Sequence, residues 1–149
     1  MNTPFICPHC QSPLTLTNKT YHCPQNHRFD QARQGYVNLT LGHKKRKFPG
    51  DSPSMLDARA QFLTAGHYNH LIPHLINHLP PHLTTPHLIL DAGCGEGHYL
   101  RQIETHLGPH LTYVGLDLSV PALKRAARQQ PTAHFAITDL HAPLPLPSH

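Results

Sequence analysis

Leu88-Ile89-Leu90-Asp91-Ala92-Gly93-Cys94-Gly95-Glu96-Gly97 is the stretch that decides the fold. The run from His87 to Leu90 is short, apolar and closed by turn residues, the pattern of a buried strand. Glycines directly after a strand let backbone approach a ligand closely at the carboxyl edge of a sheet. Downstream, Tyr99, Leu100, Ile103 and Leu107 recur at helical spacing as far as Gly108-Pro109. Leu111 to Leu116 reads as a second strand. Val120 to Gln130 reads as a second helix capped by Ser119, and Ala133 to Thr138 as a third strand. Strands alternating with helices predict a parallel sheet with right-handed crossovers, hence an α/β fold class with a Rossmann-like sheet over residues 86–149.

The glycine loop narrows the ligand. A dinucleotide fingerprint needs glycine at 98, where His98 stands. The form here is D-x-G-x-G-x-G, which suits a ligand without a pyrophosphate, such as S-adenosylmethionine, and disfavours an NAD-dependent oxidoreductase. Three acids stand at three successive strand ends, Asp91, Asp117 and Asp139. An acid at 117 can accept hydrogen bonds from both ribose hydroxyls. Asp139 is placed to contact an adenine amino group, and taken singly it reads equally well as a turn or cap residue. Cys94 reads as a small packing residue rather than a nucleophile.

Upstream, residues 53–79 read as two helices. Ser52 is the expected N-cap of the first, with Pro53 at its first position and Gly66 as its stop. The second carries the apolar stripe Leu71, Ile72, Leu75, Ile76 and Leu79 and ends at Pro80-Pro81. Residues 31–52 read as a polar connector. Ahead of it stand Cys7, Cys10, Cys23 and His27, spaced C-x2-C and then C-x3-H. Two short knuckles of this kind supply a tetrahedral zinc site, and a segment this small needs a cross-link to fold. His9 and His22 compete with His27 as fourth ligand. Loop geometry favours His27, because His22 is adjacent to Cys23. A disulfide is disfavoured in a cytosolic chain, and three cysteines cannot all pair.

Charge is unevenly spread along the 149 residues. Residues 1–50 hold seven basic residues against the single acid Asp30, whereas 51–149 hold five against seven acids. The basic third, with its run Lys44-Lys45-Arg46-Lys47, fits a polyanion partner or, more blandly, a solvated loop. No apolar run approaches a membrane span, and the N-terminus lacks the features of a signal peptide, so a cytoplasmic location is expected. The 16 histidines are scattered at polar positions and read as compositional drift.

Several motifs occur in one order. Cys-Pro-x-Cys at 7–10 is followed by Cys-Pro-x-x-His at 23–27, Phe29-Asp30 and Gly35-Tyr36-Val37-Asn38-Leu39. Pro49-Gly50-Asp51-Ser52, Ala58-Arg59, Phe62-Leu63 and Gly66-His67-Tyr68 come next, then the glycine loop and Gly115-Leu116-Asp117. In this order they resemble the zinc-containing 23S rRNA guanine-N1 methyltransferases, and the likeness covers nearly the whole chain. The resemblance implies a zinc-ribbon-like module on Cys7, Cys10, Cys23 and His27 that helps bind ribosomal RNA. It implies a class I methyltransferase domain for S-adenosylmethionine, contacted by Tyr68, Gly95 and Glu96, with Asp91, Gly93, Gly97, Asp117 and Asp139 completing the candidate cofactor set. The implied substrate is one guanine in a hairpin loop of large-subunit RNA. Lys44, Lys45, Arg46 and Lys47 would then meet phosphates. Tyr36 and Phe29 would stack on bases or, more in keeping with their type, pack against the zinc module. No residue is an evident acceptor for the guanine N1 proton.

The expected organisation is a zinc-binding domain over 1–42, a basic linker with two helices over 43–85, and a partial methyltransferase domain over 86–149. Related enzymes continue past the third strand with a fourth that pairs beside the first. The expectation here is therefore a truncated N-terminal part that lacks the target-base pocket and is inactive alone. Leu88-Ile89-Leu90 would then form an open apolar edge that favours self-association, a homodimer or a second polypeptide. The alternatives are a non-catalytic zinc module that binds RNA, or one half of a split methyltransferase.

Overall fold

The computed structural model describes residues 2–41, 51–83 and 87–147. Among the described residues there are two four-stranded sheets and four helices. The first sheet is an antiparallel meander of β1 (Asn2–Ile6), β2 (Pro13–Thr17), β3 (Thr20–His22) and β4 (Arg28–Asp30). Asn18 and Lys19, at φ 49° and 62°, make the two-residue turn between β2 and β3. Both residues left-handed is the turn geometry that matches strand twist in a tight hairpin.

The second sheet is parallel, ordered β5 (Tyr36–Asn38), β8 (His134–Ile137), β7 (Thr112–Asp117), β6 (Leu88–Ala92). Helix α3 (His98–Leu107) joins β6 to β7, and α4 (Val120–Gln129) joins β7 to β8. The predicted strand–helix alternation is present with these bounds. One strand was not anticipated. Tyr36–Asn38, inside the segment read as a polar connector, pairs in parallel with β8 and adds a fourth strand. Tyr36 is buried in the core there, so it packs and offers no face to a base.

The pleat sorts the parallel sheet into two faces. Ile89, Tyr113, Phe135 and Ile137 meet Leu100 of α3 and Leu123, Ala126 and Ala127 of α4. The alternate residues Val114, Leu116 and Ala136, with Val37, meet Phe5, Leu14, Tyr21, Cys7 and Cys23 of the antiparallel module. The two crossovers step in one direction, so both helices cover one face. The small N-terminal module is the layer on the other. The chain end reinforces this contact, since Ile6 N–H donates to the Pro145 carbonyl at 3.0 Å and Leu146 packs on the same cluster.

Between the modules run α1 (Pro53–Thr64) and α2 (Leu71–Asn77). Ser52 caps α1 by accepting from the Met55 amide at 3.3 Å. Arg125 of α4 holds the start of α1 by an ion pair to Asp57 at 2.6 Å and a hydrogen bond to the Pro53 carbonyl at 3.3 Å. On the outer side of β6 no strand pairs among the described residues, and Leu90 is 37% exposed there. Among those residues no helix is long and apolar enough to cross a membrane.

Candidate metal centre and cofactor loop

The two cysteine turns converge. Cys7 Sγ and Cys23 Sγ each lie 3.4 Å from His27 Nδ1, and Cys10 Sγ lies 3.6 Å from Cys23 Sγ. The four ligand atoms all fall within 4.8 Å of one another. Bond lengths of about 2.0–2.3 Å to nitrogen and sulfur in a tetrahedron require ligand–ligand edges of about that order. The donor set, three thiols and one imidazole, is one that zinc favours, so these residues fit the ion. Each turn is closed by backbone: the Gln11 amide donates to the Cys7 carbonyl at 2.8 Å, and the Asn26 amide to the Cys23 carbonyl at 2.9 Å. Gln11 and Asn26 both adopt positive φ, which bends the knuckles around the site. Hydrogen bonds from the Ser12 side chain and backbone pull the Cys10 thiol down to about 6, poised to bind metal as thiolate. Burial pushes Cys7 the other way. His9 is not among the four converging residues. Its ring lies beside His27, centroids 4.9 Å apart, and stacks over Phe29 at 6.0 Å.

The glycine loop sits between β6 and α3, as read from sequence. Gly93, Gly95 and Gly97 all have positive φ, and Gly97 is the left-handed N-cap of α3. A Cβ on Gly97 would come within 3.3 Å of Ala126 Cβ, whereas one on Gly95 would meet nothing within 4 Å. Gly95 is therefore where the backbone stays open to a ligand. Gly93 and Cys94 N–H both donate to the Leu116 carbonyl, at 2.7 and 3.1 Å. Asp117 ties the rest. One carboxylate oxygen accepts from Gly95 N–H at 2.8 Å and the other from Ser119 N–H at 2.7 Å. The neighbouring Gly115 leaves room for the loop, because a Cβ there would sit 2.5 Å from the Phe135 ring and 2.9 Å from Cys94 Sγ.

At this loop half-buried Asp91 and buried Glu96 each have one buried oxygen without a hydrogen-bond partner among the described residues, Asp91 Oδ2 and Glu96 Oε2. Glu96 is only 4% exposed. Orphaned acceptors at a glycine loop suit a ligand that donates hydrogen bonds, as an amino acid ammonium or a ribose does. Burial, then the Asp117 charge, pushes the Asp91 carboxyl upward, partly offset by the Leu100 amide. Ionised Asp91 therefore costs the fold stability. The cost is absent below the ordinary carboxyl range and complete above the raised value. Asp91→Asn is expected to melt above wild type at pH about 8, with the difference closing toward pH about 4. A pH series of thermal melts checks this, and equal curves throughout would refute it.

Other predicted residues lie differently. Asp139 is exposed, and its carboxylate accepts the His141 amide at 3.0 Å, so its present work is to hold a turn. Tyr68 is 43% exposed and rests edge-on against Phe62 at 5.4 Å, with His70 as its other ring neighbour. Cys94 is buried, and burial, with Asp91 and Asp117 adding to it, pushes its thiol well up, which suits a packing residue. Lys44, Lys45, Arg46 and Lys47 lie outside the described residues. Two contributors carried no sequence signal of their own: the Leu116 carbonyl, a backbone group, and Ser119, legible only as a helix cap.

Comparison with known proteins agrees with this division. Residues 5–47 match the family model for the RlmA N-terminal zinc ribbon, and residues 90–145 match a methyltransferase domain. The chain is 38% identical over 142 residues to a 23S rRNA (guanine(748)-N(1))-methyltransferase of Streptomyces fradiae, an alignment covering 94% of this chain and 50% of that protein. It is 36% identical over 158 residues to a Micromonospora griseorubida protein provisionally named a 23S rRNA (guanine-N(1)-)-methyltransferase, covering 94% of this chain and 52% of the other. The chain thus spans about half the length of the curated relatives it matches. Over nearly its full length the chain, a zinc-ribbon-like module laid on a parallel sheet with a glycine loop, is thus similar to about half of proteins named 23S rRNA (guanine-N1) methyltransferases.

Proposed function

We propose that this chain is the zinc-binding and cofactor-gripping part of an enzyme that methylates N1 of a guanine in large-subunit ribosomal RNA, in the cytoplasm. The observation that carries this reading is the loop held open at Gly95, clamped by Asp117 and flanked by the unpaired Asp91 and Glu96 oxygens. S-adenosylmethionine supplies an electrophilic methyl on a sulfonium. Guanine N1 forms the new carbon–nitrogen bond as the carbon–sulfur bond breaks, and the N1 proton leaves to an acceptor. Alignment of nitrogen, carbon and sulfur is the main demand on the protein. The Gly93–Gly97 backbone with Asp91, Glu96 and Asp117 would fix the donor, while Asp139 and Tyr68 would join it only by turning from their present partners. Lys44, Lys45, Arg46 and Lys47 would take phosphates, with salt-dependent affinity.

Calorimetry with S-adenosylmethionine tests the reading. Saturable binding, reduced by Glu96→Gln, is expected. No heat at millimolar cofactor would instead favour a non-catalytic RNA-binding zinc module.

The three expected organisational units, 1–42, 43–85 and 86–149, are proposed to act as ribbon, linker and cofactor sheet. Strand β5 makes the first of them a structural part of the third. The free edge of β6, with Leu90 outward, is proposed to take a strand from a second polypeptide or a second copy. The 149-residue chain alone is expected to self-associate with rising concentration and to transfer no methyl group to ribosomal RNA. Sedimentation showing a monomer over a hundredfold concentration range would refute the first expectation. Methyl transfer from labelled cofactor would refute the second.

A further inference from the structure

Helix α2 carries a feature that neither the ribbon nor the cofactor loop uses. His70, His74 and His78 are spaced four apart, and His82 continues the period in sequence. The residues flanking Leu71–Asn77 also have right-handed helical dihedrals, φ −62° at His70 and −92° at His78. The three histidines therefore share one helix face, since residues four apart are neighbours on a helix surface. The opposite face, through Ile72 and Leu79, packs into the core. All three histidines are exposed. His78 Nδ1 donates to the His74 carbonyl at 2.7 Å, so its proton is on Nδ1 and its lone pair on Nε2. That is how a neighbouring carbonyl orients a ligating imidazole. Among the described residues, neither the His70 nor the His74 ring has a hydrogen-bond partner. No Asp or Glu occurs from residue 58 to residue 90, so this segment itself offers imidazoles without carboxylates.

We propose that the His70–His74–His78 ladder is a second metal site, separate from the ribbon, that takes a borderline divalent transition ion through pairs of adjacent imidazoles. Imidazole donors without carboxylates select nickel, copper or zinc over magnesium or calcium. His74 belongs to both pairs and is the central ligand. Water fills the remaining coordination positions, because the face is solvated.

The test uses the full, untagged, zinc-loaded chain and Ni2+ as the probe. Calorimetry is expected to show one nickel bound per chain while elemental analysis finds the ribbon zinc retained. His74→Ala, a surface substitution, should weaken nickel binding by about tenfold or more, at least what losing an outer-shell partner costs. Nickel should raise the wild-type melting temperature and leave that of His74→Ala unmoved. His141→Ala, an exposed histidine elsewhere, should bind like wild type. The proposal is overturned if His74→Ala binds nickel as wild type does, if His141→Ala weakens binding equally, if nickel only displaces the ribbon zinc, or if no nickel binds.

Discussion

Removing zinc from this chain is expected to unfold the parallel sheet together with the ribbon, in one transition. The reason is the position of the ribbon. Cys7 and Cys23 lie in the same buried cluster as Val114, Leu116 and Ala136 of the sheet. Without metal, nothing else holds a segment this short in a shape that can cover that face. Uncovering a buried Val or Leu side chain costs about 1.5–3 kcal/mol, and Val37, Val114 and Leu116 are all fully buried here. Their loss together approaches the whole stability of an ordinary domain, about 5–15 kcal/mol. The cofactor loop shares this fate, because the Leu116 carbonyl holds both Gly93 and Cys94 N–H. Hydrogen exchange after chelation, or in Cys23→Ser, measures it. Amides in α3, α4 and residues 93–97 should lose protection along with those of β1 to β4. Persisting protection in the sheet would show that the two modules fold independently and would sink the expectation.

The extent to which this arrangement was legible in the sequence follows the range of the forces involved. The C-x2-C and C-x3-H spacings pointed to four residues whose ligand atoms do converge within 4.8 Å, because metal geometry acts through short loops. The strands and helices from Leu88 to Ile137 followed from periodicity and turn residues, which are local signals. Strand β5 was missed because three residues between Gly35 and Thr40 carry too little pattern. Its strand character comes from pairing with β8, almost a hundred residues away. The docking of ribbon on sheet was equally hidden, since both faces of a parallel strand read as uniformly apolar and do not say what covers them. Asp139 and Tyr68 show a different limit. Their place near a strand end or a helix turn was readable, but their present partners, the His141 amide and the Phe62 ring, are settled by contacts of each side chain. The histidines of α2 were read as compositional drift, because their shared face shows only once the helix and its packing are known.

Asp117→Ala should lose cofactor binding and, less obviously, should lower stability even with no cofactor present. Sequence reading gives this carboxylate a ribose to hold. In the structure both its oxygens already accept backbone N–H groups, from Gly95 and Ser119. Hydrogen bonds to a charged acceptor contribute about 1.5–3 kcal/mol each, so truncation is expected to cost several kcal/mol. The Gly95 amide would be freed, and the loop would lose a side-chain tie to β7. Asp117→Asn is the sharper probe. It can still accept one N–H through its carbonyl, but its amide group turns a donor toward the other. An intermediate loss is therefore expected, with a smaller fall in melting temperature than in the alanine variant. Melting curves without cofactor separate the two roles. If both variants melt like wild type yet fail to bind S-adenosylmethionine, the carboxylate serves the ribose alone and the clamp contributes nothing. If both lose stability, the same two oxygens that would meet the ribose also shape the loop beneath it. The donor would then enter a site whose geometry is set before it arrives, with the second lone pair on each oxygen left to receive it.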